Sequence, residues 1–229
     1  CGYKNLKVLY PGYVSVDEFT RDVQAFIDEG DLSEAKELYT QIRLKPKRPM
    51  DMLNSLKEDG IEYVEIRTLD INPFYKCGLV RHDMKFLHLF LIYMVIKSES
   101  DYVDWQKEAK INEENTAERA YDESMRLLKD GEETTLKEWA SEIINEMYGM
   151  CEVLGIEEEN TLKLMHDRVS NPDLTYGKRL LELISERGYI NTHVMLSMAN
   201  KKTSKDFVRN MDIEDEMYQK YIPMALFEK

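Results

Sequence analysis

The chain has 229 residues, with 44 acidic against 31 basic side chains, a formal net charge of −13 and a hydrophobic share of 43%. A pI near 4.9 sets it apart from nucleic-acid binders, which need a basic face to neutralise phosphates. Charged residues at 33% beside that hydrophobic share describe a globular chain with apolar mass for a core, neither disordered nor fibrous.

The charge is uneven. Residues 1–98 hold 15 acidic and 14 basic groups, residues 99–160 hold 19 and 6, and residues 161–229 hold 10 and 11. The whole excess lies in the middle stretch, which reads as solvated amphipathic helices. Three cysteines, Cys1, Cys77 and Cys151, are an odd number with no CxxC pair. That favours a reducing compartment, and a cytoplasmic location is expected. The longest apolar run, Phe86 to Ile96, is broken by His88. It falls short of the roughly 20 residues that a bilayer span needs, so no membrane partner is expected. The chain opens on Cys1 rather than methionine, without a signal peptide pattern. It is expected to be a piece of a longer polypeptide.

In chain order, Ser15-Val16-Asp17-Glu18 reads as a capping box, and Phe19, Val23, Phe26 and Ile27 follow at helical spacing. A helix over 15–29 is predicted. Residues 37–44 favour a strand, through Thr40, Ile42 and the following Pro46. Pro49 to Lys57 predicts a short helix ended by Gly60. Residues 61–70 alternate with period two and are the clearest strand, closed by Asn72-Pro73. From residue 79 onward, helices are expected over 80–97, 115–129, 134–154, 157–170, 173–187, 191–199 and 212–220. The fold class is therefore α+β and mostly helical: a strand-bearing segment 1–98 followed by a helical region 99–229 of the same domain.

Strand 61–70 carries the most chemistry. Glu65 and Arg67 are two residues apart, so they share one face, about 7 Å apart. Read by themselves, they suit a same-face ion pair on a solvated sheet. A second reading is a carboxylate holding a divalent cation beside a guanidinium on phosphate. Mg²⁺ takes one or two protein oxygens and completes its shell with phosphate and water. Arginine offers a planar fork that matches phosphate oxygens. Arg43, Lys45, Lys47 and Arg48 add a local basic cluster to an acidic chain. Tyr39 precedes Arg43 by four residues, and read alone it is a packing residue.

These stretches resemble the bacterial glutamate–cysteine ligase family, which includes fused bifunctional glutathione-synthesis enzymes. The resemblance rests on Gly60 through Phe74 with Gly78, on Glu37-Leu-Tyr-Thr-Gln-Ile-Arg43 with Pro46-Lys-Arg48, and on Gly2-Tyr-Lys-Asn5. Lys85-Phe-Leu-His-Leu-Phe90 and Asn171-Pro-Asp-Leu-Thr-Tyr176 extend it in the same order. It implies ATP-dependent joining of the L-glutamate γ-carboxylate to the L-cysteine amine, through a γ-glutamyl phosphate and with Mg²⁺. It implies a glutamine-synthetase-like catalytic sheet, of which this chain holds a small β fragment. On the family pattern Glu65 matches a metal-binding glutamate, and Arg67 matches a catalytic arginine on the transferring phosphate. Tyr39 matches a residue of the cysteine pocket. Arg43 would belong to the nucleotide-binding face. The family's Ser-Pro after Asn-Pro-Phe is replaced by Tyr75-Lys76. The family's N-terminal half, with most of the acidic metal ligands, is missing, so the chain is expected to be inactive alone. Two other readings stay open: a non-catalytic helical interaction or regulatory module, and a related ligase with another amine acceptor.

Elsewhere the signals are structural. His82, His88, His166 and His193 show no zinc spacing. His88 is expected in the core, Cys77 as a plain loop thiol, and the 13 methionines as packing.

Overall fold

A computed structural model describes residues 5–210, so the predicted helix 212–220 lies outside the described residues. The chain forms two compact units. One comprises Cys1–Asp70 with Asp101–Glu133, the other Ile71–Ser100 with Thr134–Lys229. Compactness thus divides the chain differently from the boundary at residue 98, and it splits the acidic stretch between the units.

In the first unit, helix α1 spans Val16–Asp28, and its N-cap Ser15 accepts from the Glu18 amide at 3.1 Å. The expected reciprocal bond is absent: the Glu18 carboxylate accepts from the Val14 amide instead. Phe19 and Val23 bury one face of α1 against Leu32, Leu38 and Leu56. The chain then makes a 3-10 turn at Ala35–Glu37 and enters strand β1, Ile42–Lys45. A second 3-10 turn, Pro49–Asp51, leads into helix α2, Met52–Asp59, which stops at Gly60. Strand β2, Tyr63–Ile66, returns antiparallel to β1. Both strands are shorter than their sequence patterns. Single backbone bonds from Glu62 and Arg67 extend the pairing by one rung at each end, and there it stops. Before Gln41 the backbone is bonded to a side chain rather than to a strand: the Asn5 side chain donates to the Glu37 carbonyl and accepts from the Tyr39 amide.

The largest departure lies in the acidic stretch. The helix expected at 115–129 is α4, Trp105–Arg119, followed by a hairpin of β3, Leu127–Lys129, and β4, Glu132–Thr134. Asp130 at φ 53° and Gly131 at φ 85° make the tight turn. Asp-Gly is the pair that a two-residue hairpin favours, because both positions need positive φ. Helix α4 supports the hairpin through Asn112, whose side chain donates to the Leu128 carbonyl and accepts from its amide. Buried Glu108 accepts from the Gly131 amide at 2.9 Å.

The second unit is helical. Helices α3, Arg81–Ile96, α5, Leu136–Leu154, and α6, Glu159–Ser170, share a core of Leu89, Tyr93, Met147, Met150, Cys151 and Leu162. A full capping box starts α5, between Thr135 and Glu138. Helix α7, Tyr176–Arg187, and helix α8, Tyr189–Arg209, meet at Gly188. The run of residues after the predicted end at 199 continues the same helix. His88, expected in the core, is exposed on α3, while Cys77 is an exposed free thiol as read. The mostly helical α+β class is as expected. No described helix is long and apolar enough to cross a membrane.

Candidate functional site

The β1–β2 ribbon sorts its side chains by period two. Arg43 lies opposite Glu65, and Lys45 opposite Tyr63, so these four and Arg67 line one face. Ile42, Leu44, Val64 and Ile66 take the other face, where Leu44 packs against the Phe19 and Val23 core. Partial burial of Leu44 against that core therefore holds the polar face outward, and a one-residue slip in register would invert it.

Glu65 is the centre of this face. Lys45 Nζ sits 2.5 Å from its Oε2, and Arg67 Nε donates to its Oε1. The Lys45 hydrogen bond first, and the Arg67 bond second, hold the Glu65 carboxyl below the usual carboxylate range. The same-face ion pair read from the sequence is thus formed, with a lysine added across the strands. Arg43 is different. Its guanidinium lies 4.9 Å over the Tyr39 ring, yet its Nε and Nη2 are buried with no hydrogen-bond partner. Burial, and next the neighbouring Arg67, push its pKa below the ordinary arginine value. Three cations around one carboxylate leave the face positive, which suits an anion with several oxygens.

The structure brings Tyr39, Arg43, Glu65 and Arg67 into one neighbourhood of the first unit. Asn5 fixes Tyr39 by accepting from its amide at 2.9 Å. The basic cluster, however, divides. Arg43 and Lys45 join the strand face, whereas Arg48 turns to Glu58 at 2.6 Å and Asp59 at 3.0 Å and braces α2. Sequence reading named neither Lys45 nor Asn5 as part of the site. For Lys45 the signal was available: it is two residues from Arg43 on a strand.

In the second unit the loop after the strand is also tied down. The Asn72 amide donates to the Gly78 carbonyl, and the Asn72 side chain accepts from the Phe74 amide at 3.1 Å. Asn200 on α8 donates to the Pro73 carbonyl at 2.9 Å. Tyr176 stands 6.3 Å from Phe74 and 5.9 Å from Tyr75, ring to ring. Arg168 lies 4.4 Å over Tyr176 and pairs with Asp83 at 2.8 Å. Two motifs about a hundred residues apart in sequence, Asn72-Pro-Phe74 and Asn171-Pro-Asp-Leu-Thr-Tyr176, therefore pack together. Among the described residues no three carboxylate, histidine or cysteine side chains converge to hold a metal ion by themselves.

Fold and face together define a mixed α+β chain whose first unit presents a cationic two-stranded ribbon, packed through Leu44 on the α1–α2 core. The chain belongs to the glutamate–cysteine ligase family, whose model matches residues 3–118. It is 34% identical over 213 residues to the glutathione biosynthesis bifunctional protein of Clostridium perfringens, covering 90% of this chain and 27% of that protein. It is 28% identical to the glutamate–cysteine ligase of Pseudoalteromonas translucida, covering 82% of this chain and 38% of that protein. The chain thus spans about a quarter to two fifths of the length of these relatives. The crystal structure of Francisella tularensis glutamate–cysteine ligase in complex with AMP has the same fold, with TM-score 0.79 and 21% identity. That match covers 93% of this chain and 47% of that one.

Proposed function

We propose that this chain supplies one wall of the active site of an ATP-dependent glutamate–cysteine ligase. The full reaction would use L-glutamate, L-cysteine and ATP, with phosphorylation of the glutamate γ-carboxylate before attack by the cysteine amine. The observation that carries this reading is the positive strand face, where Arg43, with two buried nitrogens that lack hydrogen-bond partners, lies beside Arg67. In this reading Arg67 grips the transferring phosphate, and Arg43 binds the nucleotide's phosphates. Tyr39, exposed and fixed by Asn5 through its backbone, lines the cysteine pocket.

Glu65 supplies one hard oxygen ligand, and Mg²⁺ needs only one or two when phosphates complete its shell. The residues therefore fit the ion in company with a nucleotide, with Glu65 as the protein ligand. When bound, Mg²⁺ would neutralise charge on the phosphates. One carboxylate on one wall is too little for the whole reaction. The chain by itself is expected to bind nucleotide without turnover.

Calorimetric titration of Mg-ADP into the 229-residue chain tests the reading. Saturable binding that Arg67→Ala weakens by about tenfold or more is expected, from loss of a charge-assisted bond. Equal affinity in wild type and Arg67→Ala would remove the phosphate role. Release of ADP from ATP that required both glutamate and cysteine would overturn the claim that the chain is inactive alone.

A further inference from the structure

Glu65 is saturated by cations. Lys45 occupies one carboxylate oxygen and Arg67 the other. A divalent ion placed on Glu65 would sit within about 5 Å of both positive charges, and like charges at that range repel strongly in a partly desolvated site. The carboxylate is therefore closed to a metal that arrives alone. A polyphosphate reverses the balance, because its oxygens give the displaced cations new partners. Arg43 lies on the same face opposite Glu65, with its Nε and Nη2 buried and without hydrogen-bond partners. Lys45 is two register positions from the Arg43–Glu65 pair and so on the same face, with its side chain 26% exposed. It carries a compact charge on a flexible four-carbon stem, so it can leave the carboxylate and follow the phosphate.

We infer that Lys45 is a positioning residue that occupies Glu65 in place of a metal ion. It yields the carboxylate only when polyphosphate and metal arrive together. Metal and nucleotide then bind this face with positive coupling, and Lys45 is the source of that coupling. The inference rests on the metal–phosphate reading of the face given above.

The test uses the 229-residue chain and three titrations: Mn²⁺ alone, ADP with chelator, and ADP in saturating Mn²⁺. Bound Mn²⁺ is counted by electron paramagnetic resonance. Wild type should bind ADP about tenfold or more tightly with Mn²⁺ than without it. Lys45→Met should bind Mn²⁺ alone about fivefold or more tightly than wild type does, and its ADP coupling should fall to about twofold. Lys45→Arg keeps a cation on the carboxylate and should restore weak Mn²⁺ binding, a rescue that a merely structural role would not give. Lys45→Gln carries the same test if Lys45→Met fails to fold. Unchanged Mn²⁺ affinity and coupling in a folded Lys45 variant would overturn the inference and leave the proposed function standing. Absence of ADP binding to wild type, with or without Mn²⁺, would remove both.

Discussion

Arg43→Met should make the chain more stable and a poorer nucleotide binder. The guanidinium keeps two buried N–H groups without partners and lies beside Arg67. Each unsatisfied polar group costs about 1–3 kcal/mol when fully buried. The side chain as a whole is only half-buried, so the lower end applies, about 2 kcal/mol for the pair. Methionine keeps most of the apolar stem and adds no polar group. It forfeits the contact with the Tyr39 ring at 4.9 Å, worth about 0.5–1 kcal/mol. A net gain of about 1 kcal/mol remains, which raises Tm by about 2–4 °C in a chain of this size. Against ADP the same change removes charge-assisted bonds to phosphate, worth about 1.5–3 kcal/mol, and weakens binding by about 10- to 100-fold. Scanning calorimetry and nucleotide titration read the two effects on the same preparations. A lower Tm together with unchanged ADP affinity would refute the reasoning, because Arg43 would then be a structural residue with hidden partners.

Three further predictions concern the scaffold. Leu162 is fully buried in the α3–α5–α6 core, and Leu162→Ala should cost about 2–5 kcal/mol by urea denaturation; a cost below about 1 kcal/mol would mean that this core is not closed. Asn112→Ala removes two side-chain bonds to Leu128 and should cost about 2 kcal/mol, with faster amide exchange confined to the β3–β4 hairpin. Asn112→Asp, which loses the donor and sets a carboxylate against the Leu128 carbonyl, should be no milder. The Asp122 carboxyl is held at about 2 by the Ser124 hydroxyl, then Arg119 and the Ser124 amide. Its folded pKa is thus below the ordinary 3.8, so its stabilising contribution is complete above about pH 4 and is lost as pH falls toward 2. Carbon-13 NMR should find this titration midpoint near 2, and Asp122→Asn should flatten the pH dependence of local stability in that window.

Much of this molecule is written in local patterns. The strand alternation of 61–70 places Glu65 and Arg67 on one face, and the pairing with β1 keeps that sorting. Helix spacing located α1, α3 and α5 to α7 within a few residues, because apolar periodicity and glycine punctuation are local properties. The hairpin at Leu127–Thr134 was legible in Asp130-Gly131, but the charged residues around it read as helix when the turn was taken as mere punctuation. His88 failed for another reason: helical position does not say which side of a helix meets the core.

Periodicity thus gives the mostly helical α+β class and places Glu65 and Arg67 on one strand face, and the resemblance of the motifs around Asn72-Pro73 points to the family that the comparison bears out. Three things needed the tertiary structure. The division of the basic cluster arises because Arg48 finds Glu58 and Asp59 on α2, while Lys45 finds Glu65 across the ribbon. That Arg43 keeps two buried nitrogens without hydrogen-bond partners while its guanidinium packs over Tyr39 is set by the packed chain. The meeting of Asn72-Pro-Phe74 with Tyr176 joins segments about a hundred residues apart. Sequence encodes which groups share a strand face, because that follows from backbone period alone. Which charge answers which is a matter of distances that only the packed chain sets.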